Sequence, residues 1–398
     1  MINFIIIAVV LLIAGFLAFS PRLSRSSAWL ATVTPLASIM GSGFLVSAPL
    51  LAGIVGYYAV LCMTVLLIIA YGAGSVMRYN IGHFEPIAHQ HGIAQKIARV
   101  SQIVLAVAYF ISITYYLQLL AAFSLTSLGI ESDLFGKYLT TSLLILIGSI
   151  GLWKGLAVLE SMEKYAVALN LGMIGALLIA LAIHNLQLFG AGNWHLPNVE
   201  SKVDFNDMRV LLGLLIVVQG FETSRYIGDK HSPEERIKTM RWAQIISSVI
   251  YILFLSLVTV LFDPDISGDV TAIIKMTAPI AVILPIMLTI AAVGSQFTAA
   301  VADDEGAGGL IEEISDNKIT IRWAYVMILV VTVALTWLTN VNMIIAYASR
   351  AFALYYFFQC ALALIVMKQE RWQLKRGTLF ATLCIICLLV VVLGIPAE

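Results

Sequence analysis

Thr34-Pro-Leu-Ala-Ser-Ile-Met-Gly-Ser-Gly-Phe-Leu-Val-Ser-Ala-Pro49 decides the fold class, because it sits in an apolar block yet carries Gly41 and Gly43 at its middle. A second stretch shares the pattern. Val217-Val-Gln-Gly-Phe-Glu-Thr-Ser-Arg225 places a glycine, Gln219 and Glu222 at mid-depth of another apolar block. Glycine loosens a helix, and backbone freed of its ladder inside hydrocarbon must find other partners. Such breaks persist only where they are buried in protein or line a cavity. Both stretches therefore predict a site.

The surrounding sequence is that of an all-α integral membrane protein. Of 398 residues, 61% are hydrophobic and 12% charged, about half the charged share of a soluble domain. Apolar blocks of about 20 residues, the length that spans a bilayer core, recur throughout. Twelve transmembrane helices are expected: Ile2–Phe19, Trp29–Leu51, Tyr57–Met77, Gln102–Thr126, Tyr138–Trp153, Tyr165–Leu188, Met208–Ile227, Ala243–Phe262, Ala278–Ala302, Trp323–Asn340, Met343–Met367 and Thr378–Ile395. Trp29, Trp153, Trp242, Trp323, Trp337 and Trp372 fall near span ends, where indole rings prefer the headgroup level. The first block has no basic residues before it and its first charge is Arg22, so it reads as a retained helix rather than a secretion signal.

Eighteen of the 23 Lys and Arg fall on one side of these spans, among them Arg78, Lys154, Lys164, Lys230 and Arg371. Only Lys137, Lys202, Arg209 and Lys275 fall on the other, and Arg350 lies within a span. The basic side is therefore expected to be cytoplasmic, with both termini extracytoplasmic in the cell (plasma or inner) membrane. Equal totals of basic and acidic residues point to no nucleic-acid partner. Cys62, Cys360, Cys384 and Cys387 all lie in apolar blocks, so they read as packing residues rather than a disulfide framework. On the inner loop, His83, His89 and His91 near Glu85 read as a solvated, partly helical segment rather than a metal site. The outer loop Gly190–Asp207, with Trp194 and Pro197, is a candidate cover for an external vestibule.

Each broken span opens a set of five, spans two to six and seven to eleven, and the two sets run in opposite senses. That is the mark of an inverted-topology 5+5 repeat, in which solute sits at the midplane between the interrupted helices. The expected organisation is an extra helix over 1–27, repeat one over 28–189, repeat two over 190–367 and a C-terminal helix over 368–398.

Gly41-Ser-Gly-Phe-Leu-Val-Ser-Ala-Pro49 resembles the first-helix signature of the amino acid–polyamine–organocation (APC) superfamily of transporters, whose fold is the leucine-transporter-type inverted repeat. Gln219-Gly-Phe-Glu222, with Ser232-Pro-Glu-Glu-Arg-Ile237 and Tyr251, is similar to its sixth-helix signature. Departures are Gly228-Asp229-Lys230, where an acidic pair is common, and His231-Ser232-Pro233 in place of Lys-Asn-Pro.

The resemblance implies that the N–H groups around Gly41, Ser42 and Gly43 face a substrate carboxylate, as a half-helix start can. It further implies that carbonyls near Val218, Gln219 and Gly220 accept from a substrate ammonium, and that Phe221 packs over the substrate. Glu222, costly within a span, reads either as a cation- or proton-carrying group or as a structural acid bonded across the break. Arg350, about two turns or roughly 10 Å into its span, either snorkels outward or pairs with an acid such as Glu222 as a gate. Sodium-coupled relatives imply an ion site made here by carbonyls near Ala37 and Met40 with Ser295 and Thr298, an oxygen set that suits a hard cation. The rival reading is that those hydroxyls only cap backbone carbonyls. Some proton-coupled relatives place a Lys in the fifth core helix near that ion position; the equivalent stretch here, Ala166–Met173, contains Asn170, a candidate coupling position, but no Lys, which favours sodium or uncoupled exchange. Asp303, Asp304 and Glu305 are expected to be solvated at the cytoplasmic end.

The function expected is secondary transport of a small amino-acid-like solute across the lipid bilayer. Alternatives are proton-coupled or exchange transport of an amine or other small organic solute, or a channel or solute sensor on the same fold. No clustered catalytic constellation appears, so an enzyme is not expected.

Overall fold

The computed structural model describes residues 2–154, 157–199, 203–227, 231–263, 269–370 and 372–397. Gly228-Asp229-Lys230, Lys202 and Arg371 lie outside the described residues, as do the side chains of Ser42, Lys154 and Lys164. Among the described residues every regular element is helical: α1 (Ile2–Phe19), α2 (Pro21–Ser24), α3 (Ser27–Val55), α4 (Ala59–His83), α5 (Ile93–Ser127), α6 (Asp133–Lys154), α7 (Ala157–Gly190), α8 (Phe205–Leu212), α9 (Pro233–Val258), α10 (Ile273–Thr277), α11 (Ile283–Ile314), α12 (Ile321–Leu338), α13 (Val341–Glu370) and α14 (Leu374–Leu393).

Ten stretches of the described chain are long and apolar enough to cross a membrane, and one of them, 27–83, contains both α3 and α4. Eleven of the expected spans coincide with these stretches. The exception is Met208–Ile227, which forms α8 and two short 3-10 turns, Leu215–Val218 and Phe221–Arg225, instead of one helix. Large apolar side chains such as Leu11, Ile68, Val249 and Ile385 point outward from mid-helix. Such exposure suits a surface that meets lipid tails.

The interior is built on α5, which packs against α11 and α13, with α3 crossing α9 and α11 beside them. Lipid is as apolar as leucine, so these helices associate through close packing rather than through water release. The α1–α7 contact shows how: a Cβ on Gly172 would lie 3.0 Å from the Val10 carbonyl, and one on Gly175 2.6 Å from Ile13. Small residues on α7 thus seat α1.

Several expected boundaries move. The inner loop expected over 78–101 shrinks, because α4 runs on to His83 and α5 begins at Ile93; a 3-10 turn, Glu85–Ile87, lies between them. The ninth span, expected at Ala278–Ala302, begins at Ile283 and continues to Ile314. Asp303 and Asp304 are consequently buried within α11, 7% and 4% exposed, and not solvated beyond its end. An apolar window stops at the first acid, whereas a helix continues wherever neighbours cover its polar side chains.

At the other end of the bundle, Arg209 donates from Nε to the Leu393 carbonyl at 3.2 Å, and Arg350 from Nε to the Val391 carbonyl at 2.7 Å. Both guanidinium groups cap carbonyls at the C-terminal end of α14. Arg350 is exposed there, and its hydrogen bond goes to α14, not to Glu222.

Candidate functional site

The first break lies inside α3. Gly43 has φ 178° and ψ 14°, outside the helical region, and interrupts the i→i−4 ladder. Two carbonyls just before it take side-chain donors instead. Gln296 Nε2 on α11 donates to Gly41 O at 2.7 Å, and the Tyr251 hydroxyl on α9 lies 3.2 Å from Ile39 O.

The second break is wider. The capping box of Asp204 and Asp207 starts α8, and the chain then tightens into the first 3-10 turn. Gln219 is extended and Gly220 has φ 120°, a conformation open to glycine and strained for other residues. Freed backbone groups are again met by side chains. Ser349 Oγ accepts from Ile216 N at 2.9 Å, Thr223 Oγ1 donates to Gly220 O at 2.8 Å, and the Tyr251 hydroxyl also bonds Val217 O.

The two breaks touch. A Cβ on Gly43 would meet Val217 Cβ and Cγ1 at 2.6 Å and its Cα at 2.7 Å. A Cβ on Gly220 would meet Ser38 Oγ at 2.5 Å and Ile39 N at 2.7 Å. Each glycine thus removes the atom that would hold the segments apart. Tyr251 reaches a carbonyl in both.

Glu222 is 1% exposed, and its Oε2 accepts from Gly220 N at 3.0 Å and from the Tyr356 hydroxyl at 2.8 Å. Phe221 is fully buried and stacks on the Tyr356 ring, centroids 5.2 Å apart. Gln219 Nε2 donates to the Tyr116 hydroxyl at 3.2 Å.

Beside the crossing lies a cavity of about 500 Å³. Its walls come from α3 (Thr34, Ala37, Ser38), the second 3-10 turn and the residues after it (Thr223, Tyr226, Ile227), α5 (Tyr109), α7 (Val167) and the middle and later turns of α11 (Ser295 to Gly309). Of the ion-site candidates, Ala37, Ser295 and Thr298 share this wall. Met40, Gly43 and Asn170 line a second, tighter hollow that also includes Ser295 and Gln296. Val218, Gln219 and Phe221 face another small gap with Tyr356. Ser295 Oγ donates to Ala292 O at 3.2 Å and Thr298 Oγ1 to Gly294 O at 3.0 Å, the capping geometry set against the ion reading above.

The broken segment is anchored at its end. Arg236 grips Glu85 with two bonds, 2.6 and 3.1 Å, and caps Arg225 O at 2.9 Å. Arg225 itself bonds Gln359, whose amide donates to Ser101 at 2.6 Å and accepts from Asn80 at 2.8 Å. Glu85 is thereby engaged by Arg236, and His83 by Glu370 at 2.7 Å, rather than the two converging with the other loop histidines. On the opposite face the Tyr57 hydroxyl bonds Pro197 O, and Trp194 Nε1 donates to Asn185 at 2.9 Å, so the outer loop is tied down over the helix ends.

Sequence reading missed Tyr356, Gln296 and Ser112, whose hydroxyl on α5 donates to Asp303 Oδ2 on α11. Gln296 stands between the two flagged hydroxyl residues and was legible as a mid-span polar group. Tyr356 gives no local sign of its distant partner.

The family described as APC superfamily transporter matches residues 21–394. A protein of Aquifex aeolicus (strain VF5), described as uncharacterized, is 41% identical over 387 residues, covering 95% of this chain and 94% of that one. Among solved structures, a mutant of the Eremococcus coleocola manganese transporter is similar in fold, with a TM-score of 0.58 over 94% of this chain and 87% of the other, at 11% identity.

Proposed function

The chain belongs to the APC superfamily of transporters, and from that premise we propose that it is a secondary active transporter of a small amino-acid-like solute, working by alternating access. In this reading twelve crossings form a five-plus-five inverted repeat with one helix at each end, set in the cell membrane with the basic side cytoplasmic. The observation that carries the proposal is the crossing itself. Two interrupted segments press together at Gly43–Val217 and Gly220–Ser38, and Ser38 also lines the adjoining cavity. Continuous helices bury their own backbone; interrupted ones are kept where amide groups must serve something else.

The cavity's lining includes Thr34, Ile227 and Gly309, and the outer loop bonds to helix ends through Tyr57 and Pro197. Sodium is the proposed coupling ion, held by Ala37, Met40, Ser295 and Thr298. A hydroxyl that gives its proton to a helix carbonyl keeps its lone pairs, so the bonds of Ser295 and Thr298 are compatible with ion binding. The substrate contacts proposed are Gly41, Ser42, Gly43 and residues 218–222, with Glu222 bonded across the second break.

The test is solute uptake by the purified chain in proteoliposomes under an imposed sodium gradient. Accumulation above the equilibrium level supports a carrier. Equilibration alone supports a channel, and binding without movement supports a sensor.

A further inference from the structure

We propose that a groove between α1, α3 and α7 binds an anionic phospholipid, with an acyl chain in the groove and the phosphate held by Arg22 and Arg25. The inference goes beyond the transporter reading and stands whatever solute the central cavity takes. A separate cavity of about 260 Å³ opens in this groove. Its walls include Leu17 and Ala18 at the end of α1, Leu30 and Val33 in the first turns of α3, and Val167 and Leu171 on α7. These are hydrocarbon side chains, and they suit a hydrocarbon occupant.

The packing of the three helices makes the groove. α1 is seated on α7 where Gly172 and Gly175 admit Val10 and Ile13, while α3 packs chiefly on α9 and α11. Past Gly172, toward the end of α1, α7 presents Leu171 and Val167 where a glycine would let α1 sink further. Phe19 still reaches Tyr165 on α7, ring centroids 6.1 Å apart. α1 therefore stays on α7, and the gap is left on the side facing α3. Leu30 on its lip and Phe19 at the end of α1 are both exposed, so the gap lies at the surface that meets lipid. Left empty, it would forfeit dispersion contacts along every wall.

The charge that selects the headgroup comes from the connection between α1 and α3. Arg22 follows the lining residue Ala18 by about one helical turn, and Arg25 precedes the lining residue Trp29 by about one turn. Both arginines are exposed. A guanidinium fork matches a phosphate bidentately, and the Trp29 indole suits the headgroup level. Basic residues beside a span attract the anionic lipids of the cytoplasmic leaflet, the side expected here from the charge count. Glu235 at this corner is already engaged, its Oε2 3.1 Å from His231 Nδ1, which lies 3.1 Å from Ser27 Oγ. Val167 lines both this groove and the central cavity, so an acyl chain lodged here packs behind one wall of that cavity.

The test is native mass spectrometry of the full-length chain released from micelles holding equal amounts of dioleoylphosphatidylglycerol and dioleoylphosphatidylcholine. Wild type is expected to retain phosphatidylglycerol in preference to phosphatidylcholine by about tenfold, the order that two basic residues near the surface supply. Arg22→Gln/Arg25→Gln is expected to bring that preference below about threefold. Lys375→Gln/Arg376→Gln removes the same charge from exposed positions at the start of α14 and is expected to leave the preference unchanged. Ala18→Phe fills the groove, leaves both arginines in place and is expected to lower retention of phosphatidylglycerol. The wild-type ranking does not depend on any variant folding. Equal retention of the two lipids by wild type would overturn the inference. An equal loss from the two charge-removing variants would also overturn it, by showing attraction to the whole basic face rather than a site. Retention that Ala18→Phe leaves untouched would overturn the placement of the acyl chain. Solute uptake in proteoliposomes tests the transporter reading separately, so either can fail without the other.

Discussion

Gly43→Ala isolates the contact on which the site depends. The φ of Gly43, 178°, lies outside the left-handed region reserved for glycine, so the substitution is read through the contact its methyl makes. What it brings is a methyl 2.6 Å from Val217 Cβ and Cγ1 and 2.7 Å from Val217 Cα. Carbon atoms in contact sit at about 3.5–4.0 Å, so the overlap is on the order of 1 Å. The Cγ1 atom can rotate away, but Val217 Cα belongs to the other broken segment and the segments themselves must separate. Overpacking of this kind costs about 1–3 kcal/mol. An energy of that size, set against one conformation, changes binding by roughly 5- to 150-fold. The measurements are Tm of the nanodisc-embedded protein and the affinity for the solute that proves to be transported, both expected to fall. Gly15→Ala on α1, where the added carbon meets nothing within 4 Å, should match wild type. Adding Val217→Ala to Gly43→Ala should restore part of the loss, because it removes Cγ1 and leaves Cα in place. A Gly43→Ala protein with unchanged Tm and unchanged affinity would show that the two segments do not meet as described.

Three further outcomes follow from the same geometry. Gly220→Ala adds backbone strain at φ 120° to a contact of 2.5 Å with Ser38, so its Tm should drop further than that of Gly43→Ala, and a smaller drop would contradict the account of the second break. Tyr356→Phe leaves the buried Glu222 carboxylate with one donor fewer, at about 1–3 kcal/mol; an unaltered denaturation midpoint would mean the bond contributes nothing. Thr298→Ala should raise the sodium concentration needed for half-maximal uptake, and uptake indifferent to sodium in the wild type would remove the ion site altogether.

The breaks were legible because glycine and proline act locally: Gly41, Gly43 and Gly220 announce a disturbed ladder whatever surrounds them. The Ser232-Pro233 start of α9 was legible for the same reason, and Ser232 Oγ accepts from Glu235 N at 3.3 Å as an N-cap should. What was not legible is partnership across the chain. Glu222 offered two readings of equal weight, and the hydrogen bond from Tyr356 comes from a residue 134 positions away. Asp303 and Asp304 looked like a solvated tail because hydropathy ends at Ala302. Whether an acid is covered depends on Ser112 and its neighbours on another helix, which no local window contains. Arg350 resolved onto α14 for a similar reason: depth in a span tells how far a side chain must reach, but not which carbonyl lies at the end of that reach.

Tyr251 carries one more implication. A phenol owns a single proton and can give it to one acceptor at a time, yet this one stands within reach of Ile39 O on one segment and Val217 O on the other. Were the two pieces of backbone to slide past each other, a small rotation of the O–H would transfer the bond from one to the other without an interval in which neither is held. The residue would then behave as a bearing rather than a clasp, letting the joint turn while keeping its axis in place.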